Sequence, residues 1–134
     1  NASARIKPFV DEFQTKGYSK RPMYEERRWG EYTVIDSRNY EDGTKSLTKY
    51  LTLNAGKSLS YQMHHHRDEI WTITNGSADF ILDGEIQRIT RGDVVYIKKK
   101  QKHAIKAIEN LHFIEVQIGD ILIEEDTEKI SLEW

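Results

Sequence analysis

The chain has 134 residues, which is enough for one domain with a core of its own. Its formal net charge of −2 gives no sign of a nucleic-acid partner, and the absence of cysteine excludes disulfides, thiolate metal sites and cysteine nucleophiles. No apolar run reaches the roughly 18 residues of a membrane span and no signal-peptide segment is present, so we expect a cytoplasmic protein without a membrane partner.

The N-terminal part of the chain predicts one helix followed by a linker. The chain begins without methionine, which we interpret as an expression scar on an excised fragment with residues missing upstream. Over residues 4–17 the apolar side chains recur at helical spacing, Ser3 can cap the start of the helix and Gly17 can end it. The polar and basic stretch 18–28 is interpreted as the linker. The predicted division is an N-terminal arm over residues 1–28 and a folded domain over residues 29–134.

From residue 31 onward the pattern is typical of short β-strands. β-branched and aromatic runs are separated by turn pairs, at a spacing of about 8–12 residues that indicates a sandwich or a barrel. Asp83-Gly84 is the clearest two-residue hairpin turn. In residues 47–53, Lys49 shares one strand face with three leucines. If that face is the core, the lysine is costly to bury unless it meets an anion.

The segment 56–76 carries the strongest sign of chemistry, because an amide, imidazoles and a carboxylate fall within one hairpin-sized stretch. In an extended strand Gln62, His64 and His66 point to one face, and Glu69 lies on the next strand. His103 follows a Gly-Asp turn farther along the chain. Nitrogen and oxygen donors that converge from fixed strands suit a divalent transition metal. The sequence therefore predicts a metal site, and the alternative is an accidental polar cluster.

Two motifs resemble those of the cupins. The pattern Gly-x5-Gln-x-His-x4-Glu-x6-Gly, which begins at residue 56, is similar to the first cupin motif, with Gln62 where the commonest cupins have histidine. The spacing Gly-x5-Lys98-x-Lys100-x2-His103 is similar to the second motif, with lysines in place of its usual proline and glycine and Ala107 in place of its usual asparagine. The resemblance implies an all-β fold, namely an antiparallel jelly-roll cupin barrel with a short N-terminal helix.

A narrower resemblance covers nearly the whole chain. Residues 59–67 and 113–119 resemble the cupin of type II phosphomannose isomerases, which usually ends a bifunctional mannose-1-phosphate guanylyltransferase/mannose-6-phosphate isomerase. Residues 27–30 are similar to that family's Arg-Pro-Trp-Gly, with Arg28 in the proline position. Residues 121–126 lack the glycine of the family's Leu-Gly-Glu-Asp-Asp. The resemblance implies a sugar-phosphate substrate and an upstream nucleotidyltransferase domain in the full-length chain.

The activity that the resemblance implies is isomerisation of mannose 6-phosphate and fructose 6-phosphate, with proton transfer between C2 and C1 through a cis-enediol. Zinc is the expected divalent metal, with manganese, cobalt, nickel and iron as alternatives. Phosphomannose isomerases of the other type bind zinc through glutamine, histidine, glutamate and histidine, which implies the ligand set Gln62, His64, Glu69 and His103. Two other functions stay open: another metal cupin enzyme such as a dioxygenase, and a non-catalytic sugar-phosphate-binding or regulatory domain.

Further site residues are predicted from strand faces and from charge. Glu115 and Gln117 share a face, and an inward carboxylate is expensive without a role, so we expect Glu115 to move the proton and Gln117 to contact substrate. The alternative for Glu115 is a structural pair with Lys49. By resemblance Lys49 and Arg27 are the cations that hold the phosphate, and we count Lys49 with Glu115 among the catalytic residues.

Three other features are left with two interpretations or rest on general rules. His66 either contacts the sugar or is an ordinary residue at the barrel mouth, whereas His65 faces outward. The lysines of residues 98–102 either form a solvated loop or, being next to His103, hold a phosphate. Because open sheet edges are commonly covered by a second copy, we expect a homodimer with strand residues before Glu41 or the helix at the contact.

Overall fold

The computed structural model describes residues 24–130, and their side chains from residue 28 onward. Within that range the chain forms strands and no helix, so no described helix is long and apolar enough to cross a membrane. The helix predicted over residues 4–17 lies outside the described residues. The predicted all-β, antiparallel architecture is confirmed.

The strands form two sheets whose neighbours all run antiparallel. The six-stranded sheet has, in spatial order, β1 (Tyr24–Arg27), β2 (Gly30–Asn39), β3 (Lys45–Leu53), β10 (Leu111–Gly119), β5 (Arg67–Asn75) and β8 (Val94–Ile97). The five-stranded sheet has β11 (Glu128–Lys129), β4 (Ser58–Met63), β9 (His103–Ala107), β6 (Ser77–Leu82) and β7 (Glu85–Thr90). In both sheets, strands that are not consecutive in the chain are neighbours, so residues far apart in sequence lie side by side.

The predicted linker over residues 18–28 is wrong for its last part. Residues 24–27 form β1, which pairs with β2 so that Arg27 lies opposite Gly30. Composition suggested a linker because the segment is basic and polar. An edge strand tolerates such residues, since charged side chains at an edge discourage pairing with other molecules.

The core lies between the two sheets. Phe80 and Ile105 come from the five-stranded sheet, Ile73 and Phe113 come from the six-stranded sheet, and all four are fully buried. Trp71 joins the two layers, because its ring lies 5.6 Å from that of Phe80 and 5.1 Å from that of Phe113, centroid to centroid. Burial of these aromatic side chains and of the aliphatic side chains around them stabilises the core.

The inward faces of the strands follow the predicted alternation. In β3, Leu47, Lys49, Leu51 and Leu53 are all buried, and in β10 Phe113, Glu115 and Gln117 are buried. The predicted hairpin at Asp83-Gly84 is also present, with φ of 48° and 85°. Two successive positive φ angles are those of the type I′ turn that matches the twist of a hairpin.

Candidate functional site

Three of the four predicted metal ligands come together beneath the cavity. His64 follows β4, Glu69 lies in β5 and His103 begins β9, and all three side chains are buried. One ligand atom from each lies within 4.8 Å of the other two. The shortest of these contacts joins His64 Nε2 to Glu69 Oε2 at 3.1 Å. The two sheets thus bring two imidazoles and one carboxylate to a common point.

The hydrogen bonds of the two imidazoles leave both Nε2 atoms as acceptors. His64 Nδ1 lies 2.9 Å from the carbonyl oxygen of Asp126, and His103 Nδ1 lies 3.0 Å from that of Gln101. Because a carbonyl only accepts, each Nδ1–H donates and each neutral ring keeps the Nε2 lone pair. Burial lowers the pKa of His103 despite the opposing charge of Glu69, which favours the neutral ring.

This arrangement fits a divalent cation. His103 Nε2 is buried and has no hydrogen-bond partner among the described residues. In the neutral state of the His64 ring, His64 Nε2 and Glu69 Oε2 are both acceptors, 3.1 Å apart. The Arg67 guanidinium lies at both atoms, with Nη2 at 3.4 Å from His64 Nε2 and Nε at 2.9 Å from Glu69 Oε2, and a bound cation would offset their repulsion further. Metal-binding histidines commonly donate Nδ1–H to a backbone carbonyl, as both do here. The group His64, Glu69 and His103 could therefore hold a metal.

Gln62, the fourth predicted ligand, lies on the wall that carries His103. It lies directly opposite His103 in the antiparallel register of β4 and β9, and it lines the cavity. Its Oε1 accepts a hydrogen bond from Ser60 Oγ at 3.1 Å. An amide oxygen is a suitable oxygen donor for a divalent cation. Ligation by Gln62 stays a prediction.

Arg67 is a residue of the site that the sequence reasoning missed. Its side chain is buried, its Nε–H donates to Glu69 Oε2 at 2.9 Å, and an Nη1–H donates to the Ile123 carbonyl at 3.1 Å. The signal that could have found it is the period of two, because Arg67, Glu69 and Trp71 alternate along β5. Trp71 Nε1–H completes the group by donating to Glu69 Oε1 at 3.0 Å.

These contacts determine the ionisation of Glu69. Burial on its own raises the pKa of a carboxyl, but a hydrogen bond from His64, made when its Nε2 carries a proton, and the positive charge of Arg67 outweigh it and hold the pKa of Glu69 well below its ordinary value. Glu69 is therefore a carboxylate at neutral pH. Its two oxygens are oriented by Trp71 and Arg67 from either side.

A cavity of about 500 Å³ opens above the ligand cluster. Its aromatic lining comes from Trp29, Tyr32, Trp71 and Phe113, and its cationic lining comes from Lys49, Arg67 and Lys129. Gln62, Glu69, Glu115 and Gln117 supply oxygen atoms to the same walls. The volume falls within the roughly 300–1,000 Å³ that is typical of small-molecule sites, and the lining is mostly polar and charged, which suits a polar ligand.

The wall formed by β3 and β10 carries the predicted catalytic and substrate-binding side chains. Gln117 Nε2–H donates weakly to Glu115 Oε1 at 3.4 Å, while Gln117 Oε1 is buried without a partner in the described part of the chain. Lys49 Nζ lies 4.4 Å from the ring centroid of Tyr32 and 3.9 Å from Glu124 Oε1. Lys49, Glu115 and Gln117 therefore face the cavity as predicted, and their roles stay predictions.

His66 does not face the cavity, so its predicted inward position is wrong. β4 ends at Met63, and the chain bends before β5 begins at Arg67, so the strand alternation does not continue to His66. Its side chain is 47% exposed, with Nδ1 at 3.9 Å from Asp120 Oδ1. His65 faces outward as predicted and contacts Glu128 Oε2 through Nε2 at 3.0 Å. The side chain of Arg27 lies outside the described side chains.

Ile123 and the lysines of residues 98–102 belong to segments that depart from the isomerase and cupin motifs, and all of them are exposed and lie outside the cavity lining. Ile123, at the glycine position of Leu-Gly-Glu-Asp-Asp, is exposed and does not have a positive φ. Lys98, Lys99, Lys100 and Lys102 are all exposed, and none of them lines the cavity. The solvated-loop interpretation of these lysines therefore agrees with their placement.

Solved structures define the class of the fold. An RmlC-like cupin from Shewanella frigidimarina aligns with a TM-score of 0.63 at 15% identity, over 81% of this chain and 92% of that chain. A variant of the Bacillus subtilis oxalate decarboxylase aligns with a TM-score of 0.66 at 18% identity, over 83% of this chain and 31% of that chain. At these identities the likeness concerns the fold alone. The chain is a cupin barrel.

The family is more specific than the fold. The chain belongs to the mannose-6-phosphate isomerase C-terminal family, whose model matches residues 15–132. A mannose-1-phosphate guanylyltransferase from Escherichia coli (strain K12) is 31% identical over 135 residues, which cover 98% of this chain and 27% of that protein. The alginate biosynthesis protein AlgA from Pseudomonas putida is 32% identical over 128 residues, which cover 94% and 25%. The chain thus spans about a quarter of the length of these relatives, and the predicted family is confirmed.

Proposed function

We propose that the chain is a metal-dependent domain that interconverts mannose 6-phosphate and fructose 6-phosphate. The observation that carries the proposal is the convergence of the acceptor atoms of His64, Glu69 and His103 beside the buried carboxyl of Glu115. Glu115 shares a side-chain hydrogen bond with Glu69, which links it to the ligand cluster. The cavity of about 500 Å³ has room for a small sugar phosphate. Membership of the mannose-6-phosphate isomerase C-terminal family supports the same activity.

The proposed metal is zinc, held by His64, Glu69 and His103 with Gln62 as a fourth ligand. When bound, it supplies a Lewis acid that polarises the carbonyl and hydroxyl oxygens of the open-chain sugar. Manganese, cobalt, nickel and iron accept similar nitrogen and oxygen donors, so metal analysis has to identify the ion.

Glu115 is the proposed acid–base group that moves the proton between C2 and C1. Burial, together with the charge and hydrogen bonding of Glu69, raises the pKa of Glu115 to about 8, against the opposing charges of Lys49 and Arg67. A carboxyl that exchanges its proton near neutral pH is suited to both halves of the transfer. Its neighbour Gln117 has an unpartnered Oε1 that can accept a hydrogen bond from a sugar hydroxyl.

The cations of the cavity are proposed to bind the phosphate and to orient the sugar. Lys49 is buried in the wall and Lys129 lies at the other side of the cavity lining. An ammonium group is a common ligand of phosphate oxygens. Binding energy from the phosphate then holds the reacting carbons against Glu115. An upstream nucleotidyltransferase domain in the full-length protein is a further part of the proposal, supported by the greater length of the relatives.

The test combines metal analysis with an activity assay. Purified protein is analysed for bound metal, loaded with zinc, manganese or cobalt, and assayed for fructose 6-phosphate formation from mannose 6-phosphate. The matched variants are His64→Ala and His65→Ala, since only His64 belongs to the ligand cluster. We expect His64→Ala to lose metal and turnover together and His65→Ala to keep both. Absence of turnover in the parent with every metal would reject the isomerase activity.

A second candidate is a non-catalytic sugar-phosphate-binding or regulatory domain. The observation that favours it is that the relatives from Escherichia coli and Salmonella typhimurium carry only the guanylyltransferase name. Saturable binding of mannose 6-phosphate by the metal-loaded protein, without turnover, would support this function. Iron in the purified protein, instead of zinc, would favour the third interpretation, another metal cupin enzyme.

A further inference from the structure

One irregular segment closes the ligand cluster from the C-terminal side. Residues 120–127, here called the C-terminal strap, follow β10 and contain no strand in the structure. Leu122 anchors the strap in the core, where it is 1% exposed. The carbonyl of Ile123 accepts a hydrogen bond from Arg67, and Glu124 and Thr127 line the cavity. The strap is thus fixed to the site at several points.

Asp126 of the strap holds the histidine segment through three hydrogen bonds. Its Oδ1 accepts from the backbone N–H of His65 at 3.1 Å, and its Oδ2 accepts from that of His66 at 2.9 Å. Its backbone carbonyl accepts from His64 Nδ1 at 2.9 Å. The residue is 8% exposed, so its carboxylate is shielded from water and relies on these two N–H donors.

The two histidines of the cluster differ in where their orienting partners come from. His103 donates to the carbonyl of Gln101, which lies two residues earlier in the chain, just before β9. His64 donates to Asp126, which is 62 residues away and in another part of the chain. The Nδ1 partner of His103 is therefore local, whereas the Nδ1 partners of His64 belong to the strap; at its other nitrogen, Nε2, His64 also lies 3.4 Å from Arg67 Nη2. A second contact, 3.3 Å from Thr127 Oγ1 to His64 Nδ1, comes from the same strap.

We propose that Asp126 is a positioning residue for His64, which couples the docking of the C-terminal strap to metal affinity. The proposal rests on the metal centre of the proposed function. The carboxylate fixes the bend after His64, which places the Asp126 carbonyl against Nδ1 and turns the Nε2 lone pair toward Glu69 and His103. Because coupling between two binding events is reciprocal, a metal at the cluster also stabilises the docked strap.

The matched variants are Asp126→Ala, Asp126→Asn and Glu125→Ala. The backbone carbonyl survives every substitution, so any effect at position 126 reports on the carboxylate. Asparagine keeps the shape but offers one side-chain acceptor for two N–H donors. Glu125 is the neighbouring exposed acid of the strap, and its removal changes the charge equally.

The first measurement is zinc affinity, by competition with a chromophoric chelator. Loss of an orienting partner of a metal-binding histidine typically costs about 10–100-fold in affinity, and we expect that loss for Asp126→Ala. Asp126→Asn should lose less, and Glu125→Ala should match the parent. Zinc affinity of Asp126→Ala within about twofold of the parent would overturn the proposal. If the alanine variant does not fold, an asparagine variant with parental affinity overturns it.

The second measurement needs no metal and separates this proposal from the proposed function. Nitrogen-15 NMR of the His64 ring reports its tautomer, and amide exchange reports on His65 and His66. The parent should show the Nδ1–H tautomer of His64. The Asp126 variants should show a mixture of the two His64 tautomers and faster exchange at the amides of His65 and His66. An unchanged tautomer in the variants overturns the positioning role. If the parent binds no zinc, the metal-dependent function fails while this comparison still decides the role of Asp126.

Discussion

Glu115 lies directly opposite Lys49 in the antiparallel register of β10 and β3, and both side chains are buried in the wall of the cavity. The positive charge of Lys49 lowers the pKa of Glu115, but burial and the nearby carboxylate of Glu69 raise it more, to about 8. The net effect is a raised pKa of Glu115. In the metal-free protein Glu115 carries a proton at neutral pH, although it faces a lysine.

The exchange of Glu115 for glutamine should separate binding from turnover. Glutamine keeps the shape of the side chain but cannot accept and return a proton. We expect Glu115→Gln to retain metal and sugar phosphate and to lose turnover by roughly 10²–10⁴-fold. Metal content, calorimetric binding of mannose 6-phosphate and the isomerase assay measure the three quantities. Parental turnover in Glu115→Gln would mean that another group moves the proton.

The control for this prediction is Glu125→Gln, which makes the same chemical change at an exposed acid of the strap. It should leave all three quantities unchanged. If Glu115→Gln keeps parental turnover, the titratable side chains of Lys49 and Glu124 in the cavity lining are the next candidates, whereas His66 lies outside that lining.

The raised pKa of Glu115 also makes the stability of the metal-free protein depend on pH. Between the ordinary value of 4.5 and about 8, the folded state holds a proton that the unfolded state has released. The contribution is therefore fully present below pH 4.5 and is lost as the pH rises to about 8. The largest possible slope is about 1.4 kcal/mol per pH unit for one proton.

Urea unfolding of parent and Glu115→Gln, with chelator present, measures this dependence. Glutamine has no proton to lose, so the variant should lose less stability than the parent between about pH 5 and about pH 8. The difference between the two proteins isolates Glu115 from the other titrating groups. Parallel curves for the two proteins over that range would contradict the raised pKa.

Strand alternation explains how much of the site could be predicted. Lys49, Glu69, Glu115 and Gln117 face the cavity as expected, because the direction of a side chain in a strand depends only on local extended backbone. Residue spacing along each strand was therefore enough to predict which of these side chains face the cavity. His66 was misplaced because β4 ends at Met63, and the sequence around it contains no glycine or proline to mark that end.

The contacts that the sequence could not show are long-range. Asp126 determines the bend after His64 from a distance of 60 to 62 residues in the chain, through backbone groups that carry no sequence signal. The crossing strand order of the two sheets brings such segments together. The direction of Arg67 follows from its position in β5, but its hydrogen bond to Glu69 on the same strand face depends on side-chain conformations that spacing does not determine.

Lys49 is expected to act mainly in substrate binding. Lys49→Met keeps an unbranched apolar stem against Tyr32 and removes the charge. Since the ammonium group binds the phosphate in the proposed function, we expect a KM for mannose 6-phosphate raised by about 10-fold or more and a smaller change in kcat. Steady-state kinetics of parent and variant measure both constants.

An exposed lysine provides the control for Lys49→Met. Lys98→Met removes one charge from the loop at residues 98–102, which does not line the cavity, and should leave KM unchanged. A Lys49→Met variant whose kcat falls while KM stays parental would contradict phosphate binding. That result would instead indicate that the charge opposite Glu115 is needed for proton transfer.

Lys100 has a backbone conformation that favours glycine, which is the residue that the cupin motif usually has there. Its φ is 67°, its side chain is exposed, and its backbone N–H donates to the His64 carbonyl at 2.7 Å. A side chain in this left-handed region costs roughly 1–2 kcal/mol. Glycine removes that cost and keeps the hydrogen bond, although it loses more entropy on folding.

We therefore expect Lys100→Gly to raise the free energy of unfolding by about 1 kcal/mol. Lys98→Gly is the matched control, because it removes the same charge from the same loop at a residue without positive φ. It should lower the free energy of unfolding by roughly 0.5–1 kcal/mol, since glycine there only adds unfolded-state entropy. Urea unfolding with unchanged m-values compares the two variants. Equal destabilisation by both glycines would contradict the prediction, because it would mean that the positive φ of Lys100 adds no strain to the folded state.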